Sequence, residues 1–488
     1  FLSLVFPRVG PVSIHSNPPM SAPSDDPPSP PVHLSRILLG VLALLVVLNL
    51  ALFWFSQNPT ATDDESAVEP ASPPLSSGDA LTLSDDELEQ VHAVLLPTWA
   101  LERVGLRDNV ATSTRAQLME ALSAAPALRD IILKLEEGTL APSETSASTV
   151  LPLCWDWNRY LDDNQAPWRI ECTIVARDHD RWFYLSSYQV LADVQVEVDD
   201  DPQRVRLLRR MDRTGAREPF LGHAGTQGEG AFLVLDRIRD FATTSVWPLL
   251  DASHDAELTT IAQILAPELR AEVGRTIEDS QLTALERTAG ARLEMVQIWK
   301  DLAPARTCLE QEHLRLNWWG MSEHSLLPLG DSQNPESDCP TASPDQLGRL
   351  IEITESLATE SELLPALDHL VAWAALTVTV HEARHLADRK RDGPQGPPCH
   401  GCQSELSVTE RSELSAYLST LAHPALASTA RLQACDALAV LPESSPHARA
   451  LSEIQAQSLD GMCTDSIPDF LSRTKVAMAG LLGRAPSS

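Results

Sequence analysis

The sequence predicts a mixed α+β fold, and three features of the chain carry this prediction. Apolar residues recur at helical spacing in the stretch after residue 81 and again after residue 256;. Between them, residues 168–198 are rich in β-branched and aromatic residues with partial alternation, as strands require;. Finally, residues 37–55 contain no charge and are long enough to cross a bilayer;. These changes divide the chain into a disordered cytoplasmic tail (1–36), a transmembrane anchor (37–55), a Pro/Ser/acidic stalk (56–80), a small helical unit (81–145), a strand-rich region (146–254) and a mostly helical domain (255–488).

The size and charge of the chain limit its partners. With 488 residues, 43% of them hydrophobic, the chain can form one large core or several ordinary ones;. It carries 37 Lys and Arg against 68 Asp and Glu, a net charge of −31. Because such a surface repels phosphate groups, we expect no nucleic-acid partner.

The charges that flank the apolar segment 37–55 predict its orientation. Arg36 precedes the segment, whereas Asp63, Asp64 and Glu65 follow it. By the positive-inside rule the N-terminus is cytoplasmic, and all that follows lies outside, in the periplasm or the extracellular space. A cleaved signal peptide is the alternative, but its apolar core would be shorter and no small-x-small cleavage site follows the segment. We therefore predict a single-pass anchor that inserts in the lipid bilayer.

The cysteines of the chain predict disulfides. All eight follow the anchor, at positions Cys154, Cys172, Cys308, Cys339, Cys399, Cys402, Cys435 and Cys463. An even number of cysteines in an exported domain is typical of disulfide bonding. Pairing of neighbours predicts Cys154–Cys172 and Cys308–Cys339. The last four could form two structural bonds, a redox pair or a four-cysteine zinc site. Because Cys399 and Cys402 follow two prolines in a loop, two structural bonds are favoured.

Local patterns place the secondary-structure elements in order. Ser84 and Glu87 form a capping box that opens a helix through about residue 96, and Thr114 with Gln117 opens a second one;. Residues 168–176 and 182–198 are expected as strands joined by a turn at 177–180, with 204–210 as a further strand face. Helices are expected at 256–301, 345–357 and 362–370, the last of which leads into the apolar residues 372–380;.

A five-residue motif follows this apolar run directly. It reads His381-Glu382-x-x-His385, so on a helix the two histidines lie one turn apart on the same face;. Two imidazoles placed in this way can bind one Zn²⁺, with Glu382 beside the metal as general base for a bound water. The alternative is a helix that carries two surface histidines.

A catalytic zinc needs a third protein ligand, and three downstream glutamates are candidates for it: Glu405, Glu410 and Glu413;. Glu413 is favoured because it lies on an amphipathic helix, where the small Ala416 allows close approach of the motif helix. Glu405 is second, since its spacing from His385 also suits a zinc site, although it follows a loop rich in Cys, Pro and Gly.

The motif and the helical Glu-x-x-Ala at 413–416 resemble the gluzincin branch of the zincin metallopeptidases. The resemblance implies a zincin-like C-terminal domain in which His381, His385 and Glu413 bind Zn²⁺. It also implies that Glu382 activates water and transfers its proton. The metzincin branch fits poorly, because Asp388 and Arg391 stand where that branch has Gly and a His or Asp ligand. The charged Arg384 inside the motif departs from both branches.

Three further residues near the motif have two interpretations each. Asp388 shares the helix face of the histidines, so it could orient an imidazole by hydrogen bonding or pair with Arg384 one turn away. Tyr417 and His423 could each donate to a developing oxyanion, or could be a packing and a capping residue.

The sequence therefore predicts a membrane-anchored, extracytoplasmic zinc metallopeptidase, a hydrolase that acts on a peptide or protein substrate. The alternative is a zincin-like protein of the cell envelope that is catalytically inactive and serves in binding or as a scaffold. Stoichiometric metal in the purified protein would favour the enzyme, and its absence the scaffold.

Overall fold

The structure is a computed structural model that describes most of the chain after residue 80. The described residues are 81–103, 111–139, 146–177, 180–199, 201–211, 221–225, 229–250, 260–302, 343–459, 461–465 and 467–483. The predicted tail, anchor and stalk lie outside the described residues, as do Cys308 and Cys339.

The described part of the chain begins with a series of helices. Its elements are α1 (Asp85–Glu89), a π-helical stretch (Gln90–Leu95), α2 (Leu96–Arg103), α3 (Ala111–Ala121), a 3₁₀ turn (Leu122–Ala124), α4 (Pro126–Gly138) and α5 (Ala147–Asp163). The predicted capping box is confirmed: Ser84 Oγ accepts from the Glu87 amide, and the Glu87 carboxylate accepts from the Ser84 amide;. The second helix begins at Ala111, three residues before the predicted Thr114.

Helix α5 occupies the beginning of the region expected to be rich in strands. Its residues Val150, Cys154, Trp157 and Leu161 recur at helical spacing and are buried. They pack with α4 and with the first strand in one apolar cluster. The burial of this stripe explains why a segment of mixed aromatic composition forms a helix here.

A single five-stranded sheet follows in the described part of the chain. Its strands are β1 (Trp168–Arg177), β2 (Asp180–Val198), β3 (Asp201–Arg210), β4 (Gly222–Ala224) and β5 (Ala231–Val234), in the spatial order β1-β2-β3-β5-β4. Neighbouring strands are antiparallel except for the parallel pair β3 and β5. The three predicted strands are confirmed as β1, β2 and β3. The short strand β4 lies at one edge of the sheet.

The rest of the described chain is helical. The elements are α6 (Leu235–Phe241), a π-helical stretch (Ala242–Val246), α7 (Trp247–Leu250), α8 (Thr260–Val273), α9 (Asp279–Leu302), α10 (Pro344–Ala358), α11 (Leu363–Asp392), a 3₁₀ turn (Gly393–Gln395), α12 (Val408–Leu421), α13 (Ala427–Val440), α14 (Pro446–Ile454), a π-helical stretch (Gln455–Leu459) and α15 (Ile467–Leu482). The prediction of a mixed α+β fold is confirmed.

Helix α11 carries the motif and lies in the middle of the larger core. Among the described residues, the stretch Leu363–Gln395 is the one helix long and apolar enough to cross a membrane. Half of its apolar window is buried within the protein. The helix packs against α9, α12 and the strands β4 and β5. These contacts are those of a core helix that positions side chains against the edge of the sheet.

Three disulfides stabilise the described chain. Cys154–Cys172 joins α5 to β1, Cys435–Cys463 joins α13 to the segment before α15, and Cys399–Cys402 closes the loop between α11 and α12. The predicted bond Cys154–Cys172 is confirmed. The last four cysteines form two bonds, as favoured from the sequence, so they do not form a four-cysteine zinc site. Disulfides of this kind indicate an oxidising compartment.

Candidate metal centre

Helix α11 brings the three residues of the motif together. The imidazole rings of His381 and His385 meet edge to face, with centroids 4.9 Å apart. Potential ligand atoms of His381, Glu382 and His385 all lie within 4.8 Å of one another, so this group could hold a metal ion. Glu382 is as close to the histidines as a ligand would be. Proximity alone therefore does not distinguish a metal ligand from a general base.

Helix α12 supplies a second carboxylate next to the two histidines. The Oε2 atom of Glu413 lies 3.2 Å from His381 Nε2, and Oε1 lies 3.5 Å from His385 Nε2. Ligand atoms bound at about 2.0–2.1 Å in a tetrahedral zinc site are separated by about 3.3 Å. The Glu413 carboxylate therefore faces both ring nitrogens, one oxygen to each, at distances close to this separation.

The two other candidate glutamates lie elsewhere. Glu405 is exposed on the loop before α12. Glu410 accepts from the Ser407 amide in a capping box that starts α12, and it pairs with Arg449 Nε at 2.9 Å. In the described part of the chain neither carboxylate contacts His381 or His385. Of the three glutamates, only Glu413 is placed to complete the site.

The protonation of His385 suits metal binding. Burial lowers the pKa of His385 to about 4, so the ring is neutral at pH 7, the form in which histidine binds a metal;. Its Nδ1 atom lies 2.8 Å from Ser412 Oγ. A proton on Nδ1, donated to the hydroxyl, leaves the lone pair of Nε2 directed at Glu413 and the site. Sequence reasoning missed Ser412, although it adjoins the favoured ligand.

The pKa values of Glu413 and Glu382 are shifted in opposite directions. Burial would raise the pKa of Glu413, but hydrogen bonds from His381 and His447 outweigh it and hold the pKa well below its ordinary value. Burial and the adjacent negative Glu413 hold the pKa of Glu382 well above its ordinary value. An ionised carboxylate beside one that readily holds a proton is the arrangement expected for a ligand next to an acid–base group.

His447 is a member of the site that sequence reasoning missed. Helix α14 places its Nδ1 atom 2.9 Å from Glu413 Oε2. Burial would lower the pKa of His447, but its hydrogen bond to Glu413 raises it above the ordinary value. Tyr417 Oη lies 3.2 Å from the same Nδ1, and the Tyr417 ring packs edge to face against His381 at 4.9 Å. Burial and the two nearby glutamates raise the pKa of Tyr417, so its hydroxyl stays protonated.

His423, the other predicted oxyanion donor, lies outside this cluster. It follows α12, and its Nδ1 atom accepts from the Ala425 amide at 3.3 Å. Among the described contacts none joins His423 to a residue of the motif. Its described side-chain hydrogen bond is local, within the turn between α12 and α13.

Arg384 and Asp388 form an ion pair within α11. The Arg384 guanidinium is buried and contacts Asp388 at 3.0 Å, Asp199 at 2.6 Å and Ser415 Oγ at 3.1 Å. Asp388 also pairs with Arg391. Of the two interpretations of Asp388, the pairing with Arg384 one turn away is therefore formed. The charged residue inside the motif thus connects α11 to α12 and to the end of β2.

A cavity of about 800 Å³ opens beside the site. It is lined by the edge strand β4, the end of α11, the loop that follows it, and the first turns of α12, with Glu382, His385, Glu413 and His447 in its wall. Gly222 of β4 is needed for this approach, because a Cβ there would lie 2.9 Å from both Glu382 Cγ and Val378 Cγ1. The sheet edge therefore lies directly on the motif helix and forms one wall of the cavity.

Comparison with protein-family models, with curated proteins and with solved structures finds no match to this chain. The chemistry of the site is therefore inferred from its donor set, its distances and its cavity.

Proposed function

We propose that this protein is a zinc-dependent metallopeptidase that hydrolyses peptide bonds. One observation carries the proposal: the Nε2 atoms of His381 and His385 lie 3.2 and 3.5 Å from the carboxylate of Glu413. The buried Glu382 adjoins this donor set, and the cavity beside it can accept a substrate. The resemblance of residues 381–416 to gluzincins supports the same reading.

The three ligands His381, His385 and Glu413 would hold the ion. When bound, zinc polarises the scissile carbonyl and lowers the pKa of its water to about 7. The carboxylate of Glu382 accepts the proton of the attacking water. It then gives that proton to the amide nitrogen as the C–N bond breaks, so the group ends the cycle as it began. A carboxyl whose pKa is raised by burial is suited to both transfers;.

Two neighbouring side chains support the transition state in this proposal. Tyr417 and His447 each present a polar atom near Glu413, and the Tyr417 ring contacts His381. Either could donate a hydrogen bond to the oxygen that becomes negative during attack, which lowers the barrier in a water-poor site. The Tyr417 hydroxyl is the stronger candidate, because it remains protonated at neutral pH.

We further propose that the enzyme works outside the cytoplasm, on a single-pass anchor formed by residues 37–55. The three disulfides of the described residues support an oxidising compartment;. A reporter domain fused after residue 80 should be active only outside the cytoplasm. Cytoplasmic activity of the fusion would contradict this topology.

A second function, that of an inactive binding or scaffold protein, is favoured by one observation. The Glu413 carboxylate already contacts His381, His385 and His447. A carboxylate that accepts hydrogen bonds from His381 and His447 has protein partners without a metal, so the cluster could serve stability without catalysis;.

Zinc content and turnover together decide between these functions. The full chain, purified in detergent, should contain one zinc per molecule and cleave internally quenched peptides. Glu382→Gln should keep zinc while hydrolysis falls by about 10²–10⁴-fold, because a general base is not a ligand. Glu413→Ala should lose zinc, whereas the matched control Glu405→Ala should keep both zinc and activity.

Three results would change the proposal. Loss of zinc in Glu382→Gln would make that residue a ligand rather than the base. Full zinc in Glu413→Ala would move the third ligand to Glu405 or Glu410. A wild-type chain without stoichiometric zinc would favour the scaffold.

A further inference from the structure

Arg389 continues the line of metal-site residues along α11. The positions His381, His385 and Arg389 are four residues apart, so they form one stripe on the helix;. With a rise of 1.5 Å per residue, Arg389 lies about 6 Å along the axis from His385. Its side chain is exposed and lines the same cavity as Glu382 and Glu413. The backbone positions of Arg389 and His385 are therefore separated along the helix by about the length of two extended residues.

The guanidinium of Arg389 is held in place by a neutral group. Its Nη1 atom donates to the backbone carbonyl of Gly225, directly after the edge strand β4. This bond fixes the planar fork at the cavity wall and uses one of its five N–H groups. In the described part of the chain Arg389 forms no ion pair with a carboxylate. The remaining donors of the fork match the geometry of a carboxylate.

Three other ionisable groups in the cavity wall have polar partners. Asp388 pairs with Arg384 and Arg391. His223 of β4 contacts Glu171 at 2.9 Å. Glu413 faces the histidines of the site. Arg389 is the one Arg or Lys among the described residues that line the cavity, and it has no described carboxylate partner.

We propose that Arg389 binds a carboxylate of the substrate, so that the enzyme prefers peptides with a carboxylate one or two residues from the scissile bond. This inference rests on the proposed peptidase function. The carboxylate is either the end of a peptide chain or an Asp or Glu side chain, since both offer the same two oxygens to the guanidinium. The protein surface carries a net charge of −31 and would repel acidic peptides in general;. The preference therefore depends on the position of the carboxylate and not on total peptide charge.

The test uses defined peptides and the full chain. Internally quenched, alanine-rich peptides carry Asp, Asn or Lys at one of the two positions on either side of the scissile bond. Each is made as free acid and as amide. For wild type, kcat/KM at one position should be at least about tenfold higher for the Asp peptide than for the Asn peptide, or for the free acid than for the amide. This is the size expected for a charge-assisted hydrogen bond. If amidated peptides with Asp are cleaved faster than those with Asn, the bound carboxylate belongs to a side chain. If free acids are cleaved faster than amides, it belongs to the end of the peptide chain.

Variants of Arg389 test whether that residue is the cause. Arg389→Gln should bring the ratio of kcat/KM between the carboxylate peptide and its neutral counterpart close to one. Arg389→Glu should reverse the preference so that the Lys peptide is favoured, and Arg389→Lys should keep part of the wild-type preference. The matched control is Lys390→Gln, because Lys390 is the next cation on the helix, pairs with Asp201 and does not line the cavity. This control should keep the wild-type ratio. Zinc content and circular dichroism verify that each variant is folded.

The outcomes separate this inference from the peptidase proposal. Cleavage of all peptides at equal rates would overturn the inference and leave the peptidase standing, as would a preference that survives in Arg389→Gln. If no peptide is cleaved, the peptidase proposal fails, and binding of the same peptides to the zinc-loaded chain is measured by fluorescence anisotropy. Tighter binding of carboxylate peptides that is lost in Arg389→Gln would then still support the site. Equal binding of all peptides would overturn it.

Discussion

Two buried histidines occur in different parts of the molecule, and they resemble each other in charge. His92 lies in the N-terminal helical unit, and His385 lies in the metal centre. Burial lowers the pKa of each to about 4, so both are neutral at pH 7. Both also have their Nδ1 atom within 3 Å of an oxygen, Leu88 O at 2.9 Å for His92 and Ser412 Oγ at 2.8 Å for His385.

The two histidines differ at the other ring nitrogen. Nε2 of His92 accepts from Trp157 Nε1 at 3.2 Å, and the ring stacks on Trp168 at 5.1 Å. Both ring nitrogens of His92 therefore have a neutral partner in the core of the helical unit. Nε2 of His385 instead faces a carboxylate at the wall of a cavity. A lowered pKa therefore does not mark a site, whereas the convergence of imidazoles and a carboxylate on one cavity does.

The largest expected effect separates the histidines by metal affinity. His385→Ala should abolish zinc binding, as should His381→Ala, because two remaining ligands do not form a tight site. The loss should exceed the roughly 10–100-fold change that follows removal of a hydrogen-bond partner of a ligand. His92→Phe is the matched control and should keep one zinc per chain. Zinc titration of the three variants measures this, and normal zinc affinity in His385→Ala would refute the site.

The second prediction concerns the disulfide of the N-terminal core. Replacement of Cys154 and Cys172 by serine opens a loop of 18 residues and should lower the free energy of unfolding by about 3 kcal/mol;. Urea titration measures the change. Because this bond belongs to the cluster around His92 and not to the metal centre, zinc stoichiometry should be unchanged. Loss of zinc would show that the two regions depend on each other for folding.

The third prediction concerns acid stability and depends on His92. Its pKa is about 4 in the folded protein against an ordinary value of 6.5. As the pH falls below 6.5, His92 takes up a proton in the unfolded chain but stays neutral in the folded chain. The stabilising contribution is therefore complete above pH 6.5 and is lost progressively as the pH falls to about 4;. The loss at pH 5 should be about 2 kcal/mol.

His92→Phe provides the comparison for this pH effect. The variant should be less stable at pH 7, because Trp157 Nε1 and Leu88 O lose their partner;. Its additional loss between pH 7 and pH 5 should be about 2 kcal/mol smaller than in wild type. Urea unfolding followed by tryptophan fluorescence at both pH values measures the difference. An equal pH dependence in the two proteins would show that His92 is not the group that titrates.

Features encoded in a few neighbouring residues could be predicted from the sequence. The capping box at Ser84 and the one-turn spacing of His381 and His385 are local, and the structure contains both. From the sequence, Glu413 is favoured over two other glutamates because its helix is expected to be amphipathic. In the structure that helix is buried on most of its surface, and the Glu413 carboxylate faces both histidines.

Features that depend on the packing of distant elements could not be predicted. His447 reaches Glu413 only because α14 packs against α12, and no spacing in the sequence reports that contact. For Arg384 the sequence indicates one local partner, Asp388. Its guanidinium also contacts Asp199, which is 185 residues earlier in the chain. The region around Cys154 was expected to be rich in strands, but it forms the helix α5. This helix forms because its apolar stripe is buried against α4 and β1.

The smallest expected effect tests how His385 is oriented. Ser412 Oγ accepts from His385 Nδ1 in the proposed metal-binding tautomer, a role that the backbone carbonyl of Leu88 has for His92. Ser412→Ala removes this partner without touching a ligand, so zinc affinity should fall by about tenfold, at the lower end of the range for such hydrogen bonds. The matched control is Ser415→Ala on the same helix, whose hydroxyl contacts Arg384 rather than an imidazole. That variant should keep its zinc affinity while its free energy of unfolding falls by about 1 kcal/mol. Competition with a zinc chelator measures both variants. Equal zinc affinity in Ser412→Ala and wild type would show that the packing of α11 alone orients the ring of His385.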